Sequence, residues 1–149
     1  MNESIILIAE DEEIDVILLK RAFQVAGVDH TLRVVRDGQE ALDYLATYQD
    51  GTAAPLPVLF LLDINMPRCS GLEVLERLQE TPLHRAIPTV VFSSSNHPRD
   101  VEQAYRFGAN AYLVKPTSTA QRVEMIRTIR AFWLQLNQAP PGLLNGSTG

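Results

Sequence analysis

The chain has 149 residues, 46% of them hydrophobic and 21% charged, with a formal net charge of −5. It is the size of one ordinary domain, too short for a second complete output module, and its acidity without a Lys/Arg cluster excludes sequence-independent grip on nucleic-acid phosphates. No apolar stretch approaches the roughly 20 residues of a membrane span, and Met1-Asn2-Glu3-Ser4 lacks the basic region of a signal peptide, so a cytoplasmic protein with no membrane partner is expected.

Ile5 to Ala9 is a short, β-rich run that predicts a first strand ending in Glu10-Asp11. Ile14, Ile17, Leu18, Ala22 and Val25 then fall on one helical face, and Gly27 is placed to end that helix. Thr31 to Val35 predicts a second strand, and Asp37-Gly38 leads into a helix carrying Ala41, Leu42 and Leu45. Gln49 to Pro57 reads as a loop. Val58 to Leu62 predicts strand three, ending at Asp63, and the Met66-Pro67 turn leads to a short helix from Gly71 with Leu72, Leu75 and Leu78.

Pro82 and Pro88 bracket the return to strand four, Thr89 to Phe92, which ends at Ser93. Asn96 is placed to cap the next helix, with Pro98 in its first turn, Val101, Ala104 and Tyr105 inward, and Gly108 at its end. Ala111 to Val114 predicts strand five, ending at Lys115-Pro116, and Thr117-Ser118 can cap a last helix running to Asn137. Ala139-Pro140-Pro141-Gly142 stops it, so residues 1–137 are expected to form the domain and 138–149 a flexible tail.

Strands alternating with helices are the pattern of a doubly wound α/β fold, with strands one, three, four and five buried on both faces of a parallel sheet. Ligands bind at the carboxyl ends of such strands. Glu10, Asp11, Asp63, Ser93 and Lys115 would therefore meet in one crevice. The three acids repel one another there, and a divalent cation is the simplest compensation; an all-oxygen donor set favours Mg²⁺, with the Asn65 carbonyl as a further ligand. With the metal present a carboxylate can attack phosphorus while Lys115 and the Ser93 hydroxyl hold the phosphoryl oxygens. Asp63 suits the nucleophile, standing alone at the end of the central run. Each acid taken singly would read as a solvated loop charge, and the joint placement reverses that. Cys69 is a lone cysteine, and His30, His84 and His97 show no metal-ligand spacing with it, so all four read as loop or surface residues.

These residues resemble the receiver domain of two-component response regulators. The matching motifs are Glu10-Asp11, the segment Asp63-Ile64-Asn65-Met66-Pro67 with Gly71, Ser93, and Lys115-Pro116, and the likeness covers residues 4 to 136. It implies a flavodoxin-like (βα)5 fold of strand order 2-1-3-4-5. By position it implies a phosphoacceptor at Asp63, Mg²⁺ at Glu10, Asp11, Asp63 and the Asn65 carbonyl, phosphoryl contacts from Ser93 and Lys115, and a switch aromatic at Tyr112. The bland alternative for Tyr112 is a core aromatic with its hydroxyl at the surface. Ser93 stands where the family more often has Thr, and Cys69-Ser70 where many members have an Asp. Such a protein is a phosphoacceptor rather than an enzyme acting on a separate substrate, and it catalyses its own phosphorylation and dephosphorylation.

The finer resemblance is to single-domain regulators paired with bacterial phytochrome-type histidine kinases. It rests on Pro67-Arg68, Gly108-Ala109-Asn110-Ala111-Tyr112 and Ala131-Phe132-Trp133-Leu134. It implies a histidine kinase partner, transfer to another phosphorelay protein, and a homodimer through the last helix. On that helix Val123, Ile126, Ile129, Trp133 and Leu136 share one face, and Met125 and Phe132 widen the apolar arc, which puts Phe132 and Trp133 at the dimer interface. The alternative is that the tail, through Leu143-Leu144, covers the arc. Two other functions are weaker. A haloacid-dehalogenase-type phosphatase needs a second acid two residues after the nucleophile, where Asn65 stands. A flavin module needs a loop that accepts phosphate, where Glu10-Asp11-Glu12-Glu13 would repel it.

Overall fold

The computed structural model describes residues 4–47 and 56–140. Most of the expected loop from Gln49 to Pro57, and the tail beyond Pro140 with Leu143-Leu144, lie outside the described residues. Five parallel strands, β1 (Ile5–Ala9), β2 (Thr31–Val35), β3 (Leu59–Leu62), β4 (Thr89–Ser93) and β5 (Ala111–Val114), form one sheet in the order β2-β1-β3-β4-β5. This is the flavodoxin-like order.

Strand side chains alternate between faces, so the apolar runs feed two cores. Leu7, Phe60, Leu62 and Val91 pack with α2 (Gly38–Ala46), α3 (Gly71–Leu78) and α5 (Pro98–Arg106) on one side. Ile6, Ile8, Leu59, Leu61, Val90 and Phe92 pack with α1 (Glu13–Val25) and α6 (Thr119–Ile129) on the other. Local signals start and stop the helices. The Asp37 carboxylate caps α2, Ser70 and Glu73 form a reciprocal capping box on α3, and Ser118 caps α6. Gly27, at φ 79°, closes α1 in the left-handed conformation that favours glycine.

Several expectations are corrected. In α1 the buried residues are Val16, Leu19, Ala22 and Phe23, whereas Ile14, Ile17 and Val25 are exposed. Both stripes have helical spacing, and the one with the larger aromatic payload took the core. A short helix, α4 (Pro82–Arg85), fills the segment read only as a return to β4. The α5 cap is His97, whose Nδ1 accepts from the Arg99 amide, because Pro98 occupies the first helical position and the cap must directly precede it; Tyr105 turns outward.

β5 is an edge strand, only partly buried, with Val114 exposed. His84 lies in α4 and is buried, its Nε2 3.0 Å from the Leu45 carbonyl, tying α4 to the end of α2, while Cys69, in a loop as expected, is also buried. Finally, the last helix does reach Leu136, but from Arg130 onward it is π-helical. The wider turn rotates Leu136 into solvent at 72% exposure and brings Leu134, five residues after Ile129, against the core instead.

Candidate functional site at the carboxyl edge of the sheet

Adjacent parallel strands deliver the acids. Ala9 lies opposite Leu62, and the Asp63 amide donates to the Ala9 carbonyl at 3.1 Å, so Glu10 and Asp63 leave the sheet side by side. One carboxylate oxygen each from Glu10, Asp11 and Asp63 lies within 4.8 Å of the others. The turn after β3 is clamped by α3. A Cβ on Gly71 would stand 2.4 Å from the Asp63 carbonyl oxygen, so no other residue fits there without moving the backbone of Asp63. From the far side Arg68 grips both oxygens of Asp37, at 2.9 and 3.2 Å. The Asn65 amide donates to Asp63 Oδ1 at 3.1 Å, and Asn65 itself is exposed at the mouth.

Lys115 reaches in from β5. Its amide donates to the Ser93 carbonyl, and its ammonium lies 2.7 Å from Glu10 Oε1, 2.9 Å from Asp15 Oδ2 and 3.1 Å from Asp63 Oδ2, above the Phe92 ring. Burial alone would pull this lysine down, but its contacts with Glu10 and Asp15 and the charge of Asp63 hold it above the usual lysine value. Glu10, 1% exposed, goes the other way: burial pushes its carboxyl up to about 7 against the pull of Lys115. Its Oε1 meets Lys115 as an ion pair without a well-directed hydrogen bond, so a buried carboxylate oxygen is left short of partners. Three hard carboxylates with such an oxygen among them fit a divalent cation, and no soft donor competes.

Ser93 and Tyr112 sit on neighbouring strands at the same edge. Ser93 Oγ accepts from the Ser95 amide at 3.1 Å, Ser95 Oγ contacts Asp100, and the half-buried Tyr112 hydroxyl donates to the Ser95 carbonyl at 2.8 Å. Both residues are therefore tied into the β4–α5 loop. Phe132 and Trp133 are elsewhere. Their rings meet edge to face at 4.9 Å, and Trp133 lines a hollow with Ser4 and Val58, at the amino ends of the strands. With Met125, Leu113 and Ile129 they border a groove of about 450 Å³ along α6.

Two charged residues beside the site escaped the sequence reading. Asp15 lies in the first turn of α1, directly after the acidic end of β1, and its Oδ2 is 2.9 Å from the Lys115 ammonium. Arg122 is buried on the stripe of Ile126 and Ile129, and a charge at an apolar position is the signal that was present.

Acids after β1 and β3, a hydroxyl on β4 and a lysine after β5 define a doubly wound signalling domain of the receiver type. Residues 6–127 match the response regulator receiver domain, and the chain belongs to that family. "Probable methanogenesis regulatory protein FilR2" of Methanothrix harundinacea is 37% identical over 136 residues, 91% of this chain and 87% of that protein. Response regulator Rcp1 of Synechocystis sp. is 33% identical over 91% of this chain and 92% of its own. A crystal structure of Mn²⁺-bound Rcp1 matches with a TM-score of 0.80 at 34% identity, over 92% of this chain and 99% of that one. The phosphorylated cyanobacterial phytochrome response regulator RcpA matches with a TM-score of 0.84 at 33% identity, over 93% and 99%. The expected fold and family are thus found, with relatives among phytochrome response regulators. No helix among the described residues is long and apolar enough to cross a membrane.

Proposed function

We propose that this chain accepts a phosphoryl group on Asp63 from a histidine kinase, in the cytoplasm, and passes it on by hydrolysis or to another phosphorelay protein. The observation that carries the reading is the placement of Asp63 between two further acids and a buried lysine that spans them. Glu10, Asp11, Asp63 and the Asn65 carbonyl would hold Mg²⁺, which supplies charge neutralisation at the phosphoryl oxygens when bound.

An Asp63 carboxylate oxygen attacks phosphorus as the bond to the donor histidine nitrogen breaks, and the leaving imidazole takes the electron pair. Lys115, already 3.1 Å from Asp63, neutralises a phosphoryl oxygen, and the Ser93 hydroxyl donates to another. To do so Ser93 draws the β4–α5 loop inward, and Tyr112, bonded to Ser95 in that loop, follows as a two-state element. Hydrolysis runs through the same residues, so the domain catalyses the loading and clearing of its own aspartate without acting on a separate substrate.

The kinase partner is proposed to be phytochrome-type, on the likeness to RcpA. Ile14 and Ile17 are exposed on α1 beside the site and would offer that partner an apolar footing. A homodimer through the last helix would cover the groove beside Phe132 and Trp133. The test is intact-protein mass after incubation with Mg²⁺ and acetyl phosphate, beside Asp63→Asn and an EDTA control. A hydroxylamine-labile adduct confined to metal-containing wild type is expected. An equal adduct on Asp63→Asn would move the acceptor elsewhere.

A further inference from the structure

Arg122 is out of place for a core position of α6. A guanidinium with five donors and a full charge, 7% exposed, needs compensation. Among the described residues its recorded partners are the Pro116 carbonyl, 3.1 Å from an Nη2 donor, and Asp15, whose Oδ1 is 3.9 Å away; its buried Nε has no partner. Asp15 meanwhile accepts from Lys115 at 2.9 Å through its other oxygen. One carboxylate on α1 thus faces two cations, bonded to the first and held just beyond hydrogen-bond range of the second.

We propose that Asp15 is a positioning residue that changes partner: it holds Lys115 while Asp63 is free and closes on Arg122 when a phosphoryl group on Asp63 draws Lys115 away, so that α6 registers the state of the site. This rests on Asp63 being the phosphoacceptor. A phosphoryl group brings up to two negative charges where the carboxylate had one, within reach of an ammonium already 3.1 Å from Asp63. Asp15 then loses its hydrogen-bonded cation, and a partly buried carboxylate without a partner is costly. The under-satisfied guanidinium is the cation next to it.

Closing that gap to hydrogen-bond length takes about 1 Å, the scale of helix shifts in switching domains. α1 packs directly on α6, so the shift is felt along α6 and at the groove beside Met125 and Phe132. Arg122 also holds the carbonyl of Pro116, the residue after Lys115, which couples the helix to the strand end that carries the lysine.

Hydrogen exchange over residues 119–136, with and without beryllofluoride and Mg²⁺ as phosphoryl mimic, tests the exchange of partners in the full chain. In the wild type the mimic should slow exchange in α6 about threefold or more. Arg122→Gln should still form the aspartyl adduct by mass yet lose that protection, and Arg122→Lys should recover part of it. Asp15→Asn should lose the protection and phosphorylate about tenfold more slowly, having lost one charged contact to Lys115. A purely structural role would loosen α6 equally with and without the mimic. Full protection in Arg122→Gln, or no protection in a wild type that carries the adduct, overturns the proposal. A wild type that takes up neither phosphoryl group nor mimic overturns the phosphoacceptor reading and this one with it. Should Arg122→Gln fail to fold, protection retained in Asp15→Asn is the outcome that overturns it.

Discussion

At the carboxyl edge of the sheet Glu10, Asp15 and Asp63 converge on Lys115, Asp11 stands beside Glu10 and Asp63, and Arg122 lies 3.9 Å from Asp15. Along the outer side of α6 and its π-helical continuation the reverse holds, and Met125, Phe132 and Trp133 border an apolar groove. The first region is placed by backbone register, because each charged group follows directly on a hydrogen-bonded strand or opens the helix after it. The second is placed by the number of residues in a helical turn. A register position survives small changes in local conformation, whereas a change from α to π winding rotates every later side chain.

The sharpest way to break the contrast is to unseat the clamp under the acid site. Gly71→Ala puts a methyl group 2.4 Å from the Asp63 carbonyl oxygen, and it should cost about 3 kcal/mol in urea unfolding and abolish phosphorylation. Wild-type stability would mean that α3 does not hold the turn. At the other region, Phe132→Ala with Trp133→Ala removes two aromatic anchors and should weaken self-association about thirtyfold in sedimentation, if that face is the dimer interface. A dimeric parent whose mass the double change leaves unaltered would put the interface elsewhere.

The smallest expected effect is a pH dependence confined to the first region. Burial lifts the Glu10 carboxyl from 4.5 to about 7, so between those values the folded chain without metal holds a proton that the unfolded chain has released. Its contribution to stability therefore falls as pH rises from 4.5 to about 7 and is level above. A cation needs the ionised carboxylate, so Mg²⁺ should bind about tenfold more tightly at pH 8 than at pH 6 by titration calorimetry, and Glu10→Gln should flatten that difference. The proposed self-association through α6 should not follow the same curve.

The same distinction explains what could be read from the chain. The strands, the Ser118 cap and the meeting of Glu10, Asp11, Asp63 and Lys115 were legible, since short apolar runs ending in polar residues leave little choice of register; the strand order came only with the family resemblance, and the Ser70 capping box was not read. The buried side of α1 was not, because two apolar stripes of equal spacing compete and only packing decides between them. Leu136 was misplaced by assuming one helical period throughout, and the burial of His84 had no period to show it in a four-residue helix. Arg122 was passed over because pattern reading looks for apolar residues on an apolar stripe and has no rule for a charge that finds its partner across two helices.

The crowding of carboxylates also governs traffic into the site. With no divalent cation bound, the carboxylates of Glu10, Asp11, Asp15 and Asp63 outnumber Lys115 and Arg122, so a small phosphorylated metabolite would meet a negative potential at the mouth, which salt screens beyond about 8 Å. With Asp63 as the proposed phosphoacceptor, background loading by stray donors would be throttled at low magnesium, and a protein donor that brings its own basic surface to the rim would gain an advantage in encounter rate over any small anion.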